Sequence, residues 1–519
     1  MLYSNLYLLL PAKTGKIEYK MRRKSIFLGL FVLVSNLTFA GGILTNTNQN
    51  IVFNRTFARN ATMEIDGAYS NPAGLSWLSE GLHLSLNIQN VYQTRDIHST
   101  YSLFKQNTID PADEKGMKYF KGEAAVPALP SFQAAYRTGN WTYSLNFGIT
   151  GGGGKATFND GLPSFESTVA YANYAANSLA GQMSKMGLSV PETSGYSLNT
   201  FMKGRQYVFG LQGGVTYRVT GQKEGSTKGL SLYLGARMNY VSNRYEGYLR
   251  DIDVSYADGT TSSLSDYMSM VSATANAASA YVTDEATKTK LLTAAKTLDV
   301  GAAKLKDGIE LDCSQNGWGL TAIIGVDYRL DRLNLGARYE FPTNLNIEND
   351  TRINTTGVAD YDHGVNTPND LPAILSGGAQ YDLLPKWRVM GGMTYYFDKD
   401  AGMANDKQKY LSHNTFEYML GTEWDVYNCL TVSGGFMKTN YGTTDQFQKD
   451  MSFYCSSYSL GFGAKINLNQ KLAVNIAYFF TNYTDYEHNT DNYNSTGISG
   501  KDVFGRTNKV FGLGINYDF

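Results

Sequence analysis

The run Gly151-Gly152-Gly153-Gly154-Lys155 most invites a chemical reading, because glycine-rich loops that end in lysine cradle phosphates. It fails that reading. Ala156 stands where a metal-holding serine or threonine is needed, and no glycine lies five residues before Gly154. Nucleophilic catalysis has no better support: His83, His98, His363, His413 and His488 are scattered, and no G-x-S-x-G motif occurs. Cys313, Cys429 and Cys455 are odd in number and widely spaced, so neither a disulfide framework nor a zinc site is expected. The residues therefore predict no enzyme, no metal and no cofactor. A formal net charge of -1 with no basic block also argues against a nucleic-acid partner.

What remains is electrostatics, and charges need elements to aim them. The last nine residues, FGLGINYDF, place Phe511, Leu513, Ile515, Tyr517 and Phe519 on one face and Gly512, Gly514, Asn516 and Asp518 on the other. Such alternation, closing on a carboxyl-terminal aromatic residue, is the pattern of the final strand of an outer-membrane barrel. Phe519 is accordingly expected to address the barrel-assembly machinery. With 53 Gly, 38 Tyr and 25 Phe against 11 Pro, the composition suits alternating strands. After residue 40 no stretch approaches the ~20 apolar residues of a spanning helix.

Period-2 runs predict fourteen strands, over 82–92, 131–137, 141–151, 205–219, 230–248, 317–330, 333–347, 373–383, 387–397, 416–426, 430–439, 457–468, 472–483 and 506–519. Every second connection is short, which predicts periplasmic turns alternating with long extracellular loops. The fold class is all-β: a fourteen-stranded antiparallel transmembrane barrel in the outer membrane of a Gram-negative bacterium, with nothing demanding more than a monomer. In the long connection 249–316, residues 263–306 are rich in Ala, Met, Leu and Lys. They read either as helices over the barrel mouth or as a mobile surface cap.

Ahead of the strands, Met21-Arg22-Arg23-Lys24, a mostly apolar 26–37 and Thr38-Phe39-Ala40 read as a signal peptide preceded by an extension. The expected organisation is 1–40 leader, 41–80 amino-terminal hatch and 81–519 barrel. The hatch segment carries Arg55, Arg59, Glu64, Asp66 and Asn71-Pro72-Ala73-Gly74; by itself, Asn-Pro marks a turn.

Phase decides where charges point. Leu232, Leu234, Ala236, Met238 and Tyr240 share the lipid face of the fifth strand, which turns Ser231, Tyr233, Arg237 and Asn239 inward. The same logic puts Asp327, Arg329, Arg338, Glu340, Arg388, Glu417, Glu423 and Asp425 in the lumen, since Arg or Lys facing lipid at the midplane costs about 2–4 kcal/mol. Both signs are present, so Asp327, Arg338, Glu340 and Arg388 form a network that either anchors a plug or touches substrate.

At this point the chain resembles the FadL-type family of outer-membrane transporters for long-chain fatty acids and other hydrophobic compounds. The resemblance rests on Asn71-Pro72-Ala73, on Leu129-Pro130, on Gly151 to Gly154 with Lys155-Ala156-Thr157-Phe158-Asn159-Asp160, on Gly317-Trp318-Gly319, and on Asp370-Leu371-Pro372 leading through Tyr381 to Trp387. It implies a fatty acid or similar ligand, captured near the extracellular loops and passed to an inner apolar pocket. It further implies sideways release into membrane lipid through a kink in strand three beside the hatch. Gly151, Gly152, Gly153 and Gly154 suit that kink, because glycine weakens pairing and tolerates bulges, although they equally suit the start of a flexible loop. By resemblance a lumen base meets the ligand carboxylate, with Arg237 first and Arg244 second among the positional candidates. Aromatic hydrocarbons or other amphiphiles as ligands, an open porin and a structural or adhesive barrel are the alternative readings.

Overall fold

Alternation along the chain becomes alternation across a closed wall. The computed structural model describes residues 42–221 and 225–519, and the expected leader over 1–40 lies outside the described residues. Fourteen staves form the wall: β1 (Gly81–Tyr101), β2 (Met117–Thr138), β3 (Trp141–Phe158), β4 (Thr193–Arg218), β5 (Lys228–Tyr256), β6 (Ile309–Leu330), β7 (Leu333–Glu340), β8 (Ile374–Leu384), β9 (Trp387–Tyr396), β10 (Thr415–Tyr427), β11 (Leu430–Asn440), β12 (Ser457–Asn467), β13 (Leu472–Tyr483) and β14 (Gly500–Asp518). Neighbours pair antiparallel. β14 closes on β1 from His83↔Asp518 to Tyr101↔Gly500, so no edge is left unpaired.

On β5, Leu234 is 68% exposed and Leu232 48%, whereas Ser231, Arg237 and Asn239 are buried. Apolar residues face out and polar residues face in, the reverse of a soluble barrel and the arrangement hydrocarbon requires. No helix among the described residues is long and apolar enough to cross a membrane.

Several strands run beyond the apolar belt. β5 has 29 residues and β4 has 26, and their far ends form a collar on the long-loop side. Helices α3 (Pro163–Lys185), α4 (Leu264–Ser279) and α5 (Glu285–Leu305) pack on that collar. Within residues 263–306 the helical one of the two readings holds, as two helices separated by a turn, and α4 is capped by Ser263, whose side chain accepts the Asp266 N–H. One expectation changes: the seventh strand, expected over 333–347, ends at Glu340. Pro342 has no N–H for the ladder, and a separate strand, Asn346–Asn354, pairs instead with the upper part of β6.

Residues 42–80 enter the lumen. Helix α1 (Ile51–Thr56) is buried throughout and contacts β10 to β14. The wall admits it through missing side chains, because a Cβ at Gly421, Gly435 or Gly461 would come within 2.5 Å of a carbonyl oxygen of Thr56 or Asn54. The short helix α2 (Gly67–Ser70) follows, and Pro72–Trp77 forms a 3-10 turn.

Candidate functional site

The inserted segment is held by charge on the short-turn side. Glu423 of β10 receives Arg55 at 2.5 Å, Arg388 of β9 at 2.9 Å and Arg59 at 3.8 Å, and Arg388 also reaches Asp425 at 2.9 Å. Arg59 in turn binds Asp66 at 2.7 Å and Glu64 at 2.9 Å, while Lys465 of β12 reaches Glu64 at 3.0 Å. Lys465 and Arg59 hold the Glu64 carboxyl well below its ordinary range. Arg55, Arg59, Asp66 and Glu423 are buried, and breaking a pair among them would leave uncompensated charge.

Asn71-Pro72-Ala73 is a docking contact. Asn71 Nδ2 donates to Asp327 Oδ2 at 2.6 Å and to the Thr62 carbonyl at 3.0 Å. The Pro72 carbonyl accepts from Thr216 at 2.8 Å, and Ala73 packs on Tyr233 and Ile323. Asp327 also accepts from Trp77 Nε1 at 2.9 Å and Asn334 at 2.7 Å. A turn motif in the sequence thus becomes the plug's hold on β6.

Arg237, Arg338 and Glu340 form the third contact. Glu340 pairs with Arg237 at 2.8 Å and Arg338 at 3.0 Å. Both guanidiniums lie against the ring of Tyr69 from α2, at 5.1 and 4.8 Å from its centroid. Arg237 is therefore engaged with the plug. Arg244 does not face the lumen at all: it shares the outward parity of Leu234 and pairs with Glu246 and Asp312. Neither lines the enclosed cavity above the plug.

That cavity lies between Leu44 of the plug, the inward residues Gln206, Asn243 and Tyr245, and Asp360, Met403, Lys407 and Phe447 of the long loops. Its volume of about 40 Å³ holds one or two waters. Lys407 is buried, with Nζ 3.3 Å from Ser452 Oγ and 4.5 Å from the Phe447 ring centroid. No carboxylate pairs with it among the described residues. Burial, assisted by Lys449, pushes its ammonium down to about 7. The sequence carried no signal for this lysine, which sits in an irregular loop and owes its surroundings to segments far along the chain.

β3 bends where its glycines lie. Its pairing with β4 is broken twice, between Ile149 and Gly151 and between Gly152 and Gly154. Gly152 has φ +65°, a conformation other residues adopt only with strain, and a Cβ at Gly151 would meet the Leu44 carbonyl at 2.4 Å. Across the other edge, pairing with β2 runs to Ala124↔Ala156 and resumes only at Phe132↔Phe147. Residues 125–131 and 148–155 have no cross-strand partner there, and Pro127 and Pro130 of β2 lack the N–H to make one. Plug residues stand behind this window. Asn46 Nδ2 donates to the Gly152 carbonyl at 2.5 Å and Gln49 Nε2 to the Ile149 carbonyl at 2.7 Å.

A closed fourteen-stranded wall with an amino-terminal segment in its lumen and a bulged third strand invites comparison with known barrels. A crystal structure of a Pseudomonas aeruginosa FadL homologue aligns over 92% of this chain and 100% of its own, at 13% identity and a TM-score of 0.56. The chain has the FadL-type fold. The Pseudomonas putida toluene transporter TodX aligns over 92% of this chain and 100% of its own at 14% identity, with a TM-score of 0.49. No protein-family model and no curated protein sequence matches the chain. In this FadL-type barrel no group of three or more His, Cys, Asp or Glu among the described residues could hold a metal ion.

Proposed function

We propose that this FadL-type barrel is a passive channel of the Gram-negative outer membrane for hydrophobic compounds with an acidic head, long-chain fatty acids foremost, released sideways into the bilayer. The observation that carries the reading is the window between β2 and β3, an interruption of an otherwise continuous wall at the height of the plug segment 44–49. An acyl chain held at about 0.8 kcal/mol per CH₂ resists release into water, and a lateral path avoids that step. Lys407 favours a carboxylate over a neutral hydrocarbon, being a buried amine beside the cavity that no carboxylate pairs with among the described residues, so that a bound carboxylate would draw it into the ammonium form. The cavity is too small for an acyl chain, so entry requires Leu44 or the loop of Lys407 to move. In this reading residues 41–80 are the hatch, whose hold at Asn71 to Ala73 keeps the short-turn side closed.

The test is uptake of radiolabelled oleate by cells lacking their own transporter, with this chain at verified surface levels. A gain in uptake, abolished when residues 125–131 and 148–155 are bridged by an engineered disulfide and restored by reductant, is expected. Uptake that ignores the bridge defeats lateral release. Uptake of toluene but not oleate transfers the reading to neutral hydrocarbons.

A further inference from the structure

The outward face of β3 to β5 carries a row of cations that the channel reading does not use. Lys155 lies opposite Arg205 in the β3–β4 register, and Arg205 lies opposite Arg244 in the β4–β5 register. Like charges directly opposite each other on one face of a sheet are destabilising, so the row calls for an anion. The protein supplies few. One step further along the strands, Glu246 is shared by Lys203 and Arg244, and Asp312 by Arg244 and Arg352. No carboxylate pairs with Lys155 or Arg205 among the described residues, and Arg205 Nε makes no hydrogen bond. The Arg205 guanidinium rests 5.8 Å from the ring of Tyr207.

The height of the row identifies its occupant. Directly below it on the same outward parity are Tyr207, Phe209 and Leu211 of β4 and Tyr240 and Met238 of β5. The belt ends at the other side with Trp141 and Tyr217, whose rings lie 4.5 Å apart. From Tyr217 to Tyr207 a tilted strand rises about 25 Å, the height of the apolar band of an outer-membrane barrel. The cations therefore begin where hydrocarbon ends. A free anion would have no use for the apolar wall continuous with the row, whereas an acylated lipid would fill both.

We infer that Lys155, Arg205 and Arg244 bind the phosphorylated headgroup of a lipid in the outer leaflet, with its acyl chains laid on the belt below. Guanidinium and ammonium groups form charge-assisted bonds to phosphate oxygens, and the tyrosines meet the interface between chains and headgroup. Lys155 is also the upper boundary of the unpaired window, so the bound lipid stands at its rim. This inference rests on the membrane placement in the channel reading.

The experiment uses the full mature chain in detergent, with native mass spectrometry against added diphosphoryl lipid A, its phosphate-free analogue and inorganic phosphate. Lys155→Gln/Arg205→Gln/Arg244→Gln is expected to weaken diphosphoryl lipid A at least tenfold. Lys438→Gln, an outward cation on β11, is expected to change nothing. The analogue is expected to bind wild type as weakly as the diphosphoryl lipid binds the triple variant. Equal binding by wild type and triple variant overturns the site, as does equal binding of the two lipids by wild type. Saturation by inorganic phosphate alone, with the same variant dependence, overturns the lipid assignment. Resistance of the folded barrel to unheated SDS checks the triple variant's fold. Absence of oleate uptake from cells carrying the wild-type chain strikes only the channel reading and leaves the lipid-binding comparison standing.

Discussion

The plug and the cap are held by different mixtures of contacts. On the short-turn side the plug meets the wall through Arg55, Arg59, Arg388 and Lys465 against Glu64, Glu423 and Asp425, beside an apolar cluster of Phe53, Phe57 and Ala58 with Met390, Met419, Met437 and Phe479. On the long-loop side α3, α4 and α5 bury Phe165, Val169, Tyr267, Val271 and Leu298 in a common apolar core with the collar. Ion pairs are directional and lose most of their value once one partner is displaced, whereas an apolar core tolerates small shifts.

The largest expected effect comes from breaking the plug's ion pairs. Glu423→Gln leaves Arg55 and Arg59 buried beside a neutral side chain, at a cost of about 3–5 kcal/mol. Planar-bilayer conductance should rise with the barrel still resistant to unheated SDS. Unchanged conductance would mean that the network does not hold the plug. In the cap, Phe165→Ala removes a fully buried ring at about 3–5 kcal/mol. That loss should appear as protease cleavage within 159–192 while conductance stays low; an open pore instead would erase the distinction between plug and cap.

Smaller effects sharpen it. Asn71→Ala removes the bond to Asp327, about 1.5–3 kcal/mol, and with it the bond to the Thr62 carbonyl, while Trp77 and Asn334 still serve Asp327. Amide exchange should accelerate through 62–78 and not in the cap. Lys407 gives the mildest change. Its folded-state value of about 7 lies below the ordinary lysine range, so the ammonium is disfavoured in the apo protein, and a bound carboxylate should draw in a proton. Oleate affinity should then fall as pH rises above 7, by up to about tenfold per unit, and the profile of Lys407→Met should be flat. Isothermal titration in buffers of different ionisation enthalpy reads the proton directly.

Much of the wall was legible in the sequence. On β5 the residues from Leu232 to Tyr240 repeat with period two because hydrocarbon bounds one face and the lumen the other, a constraint each residue feels locally. Strand ends were less legible. β1 was expected to stop at 92 and runs to Tyr101, because above the belt both faces tolerate polar residues and the alternation loses its meaning. β2 was read only from 131 because Pro127 and Pro130 interrupt the pattern, and those same prolines help leave the window unpaired. Helix α3 went unread in 152–204, although alanines at 170, 172, 175, 176 and 180 were its available signal. Lys155 illustrates the remaining gap: its type was visible, yet its position opposite Arg205 depends on two bulges that shift the register.

The sequence by itself determined the number of staves, their direction and the face each side chain takes, because these follow from a two-residue repeat against two solvents. Tertiary structure alone decided the partners. Arg237 could have met a ligand and instead holds Tyr69, Arg244, whose outward face the two-residue repeat already implies, pairs with Glu246 and Asp312, and Lys407 became the amine beside the cavity. A lumen partner is set by how far each strand is staggered on closing the barrel, and that stagger is a property of the closed sheet rather than of any one strand.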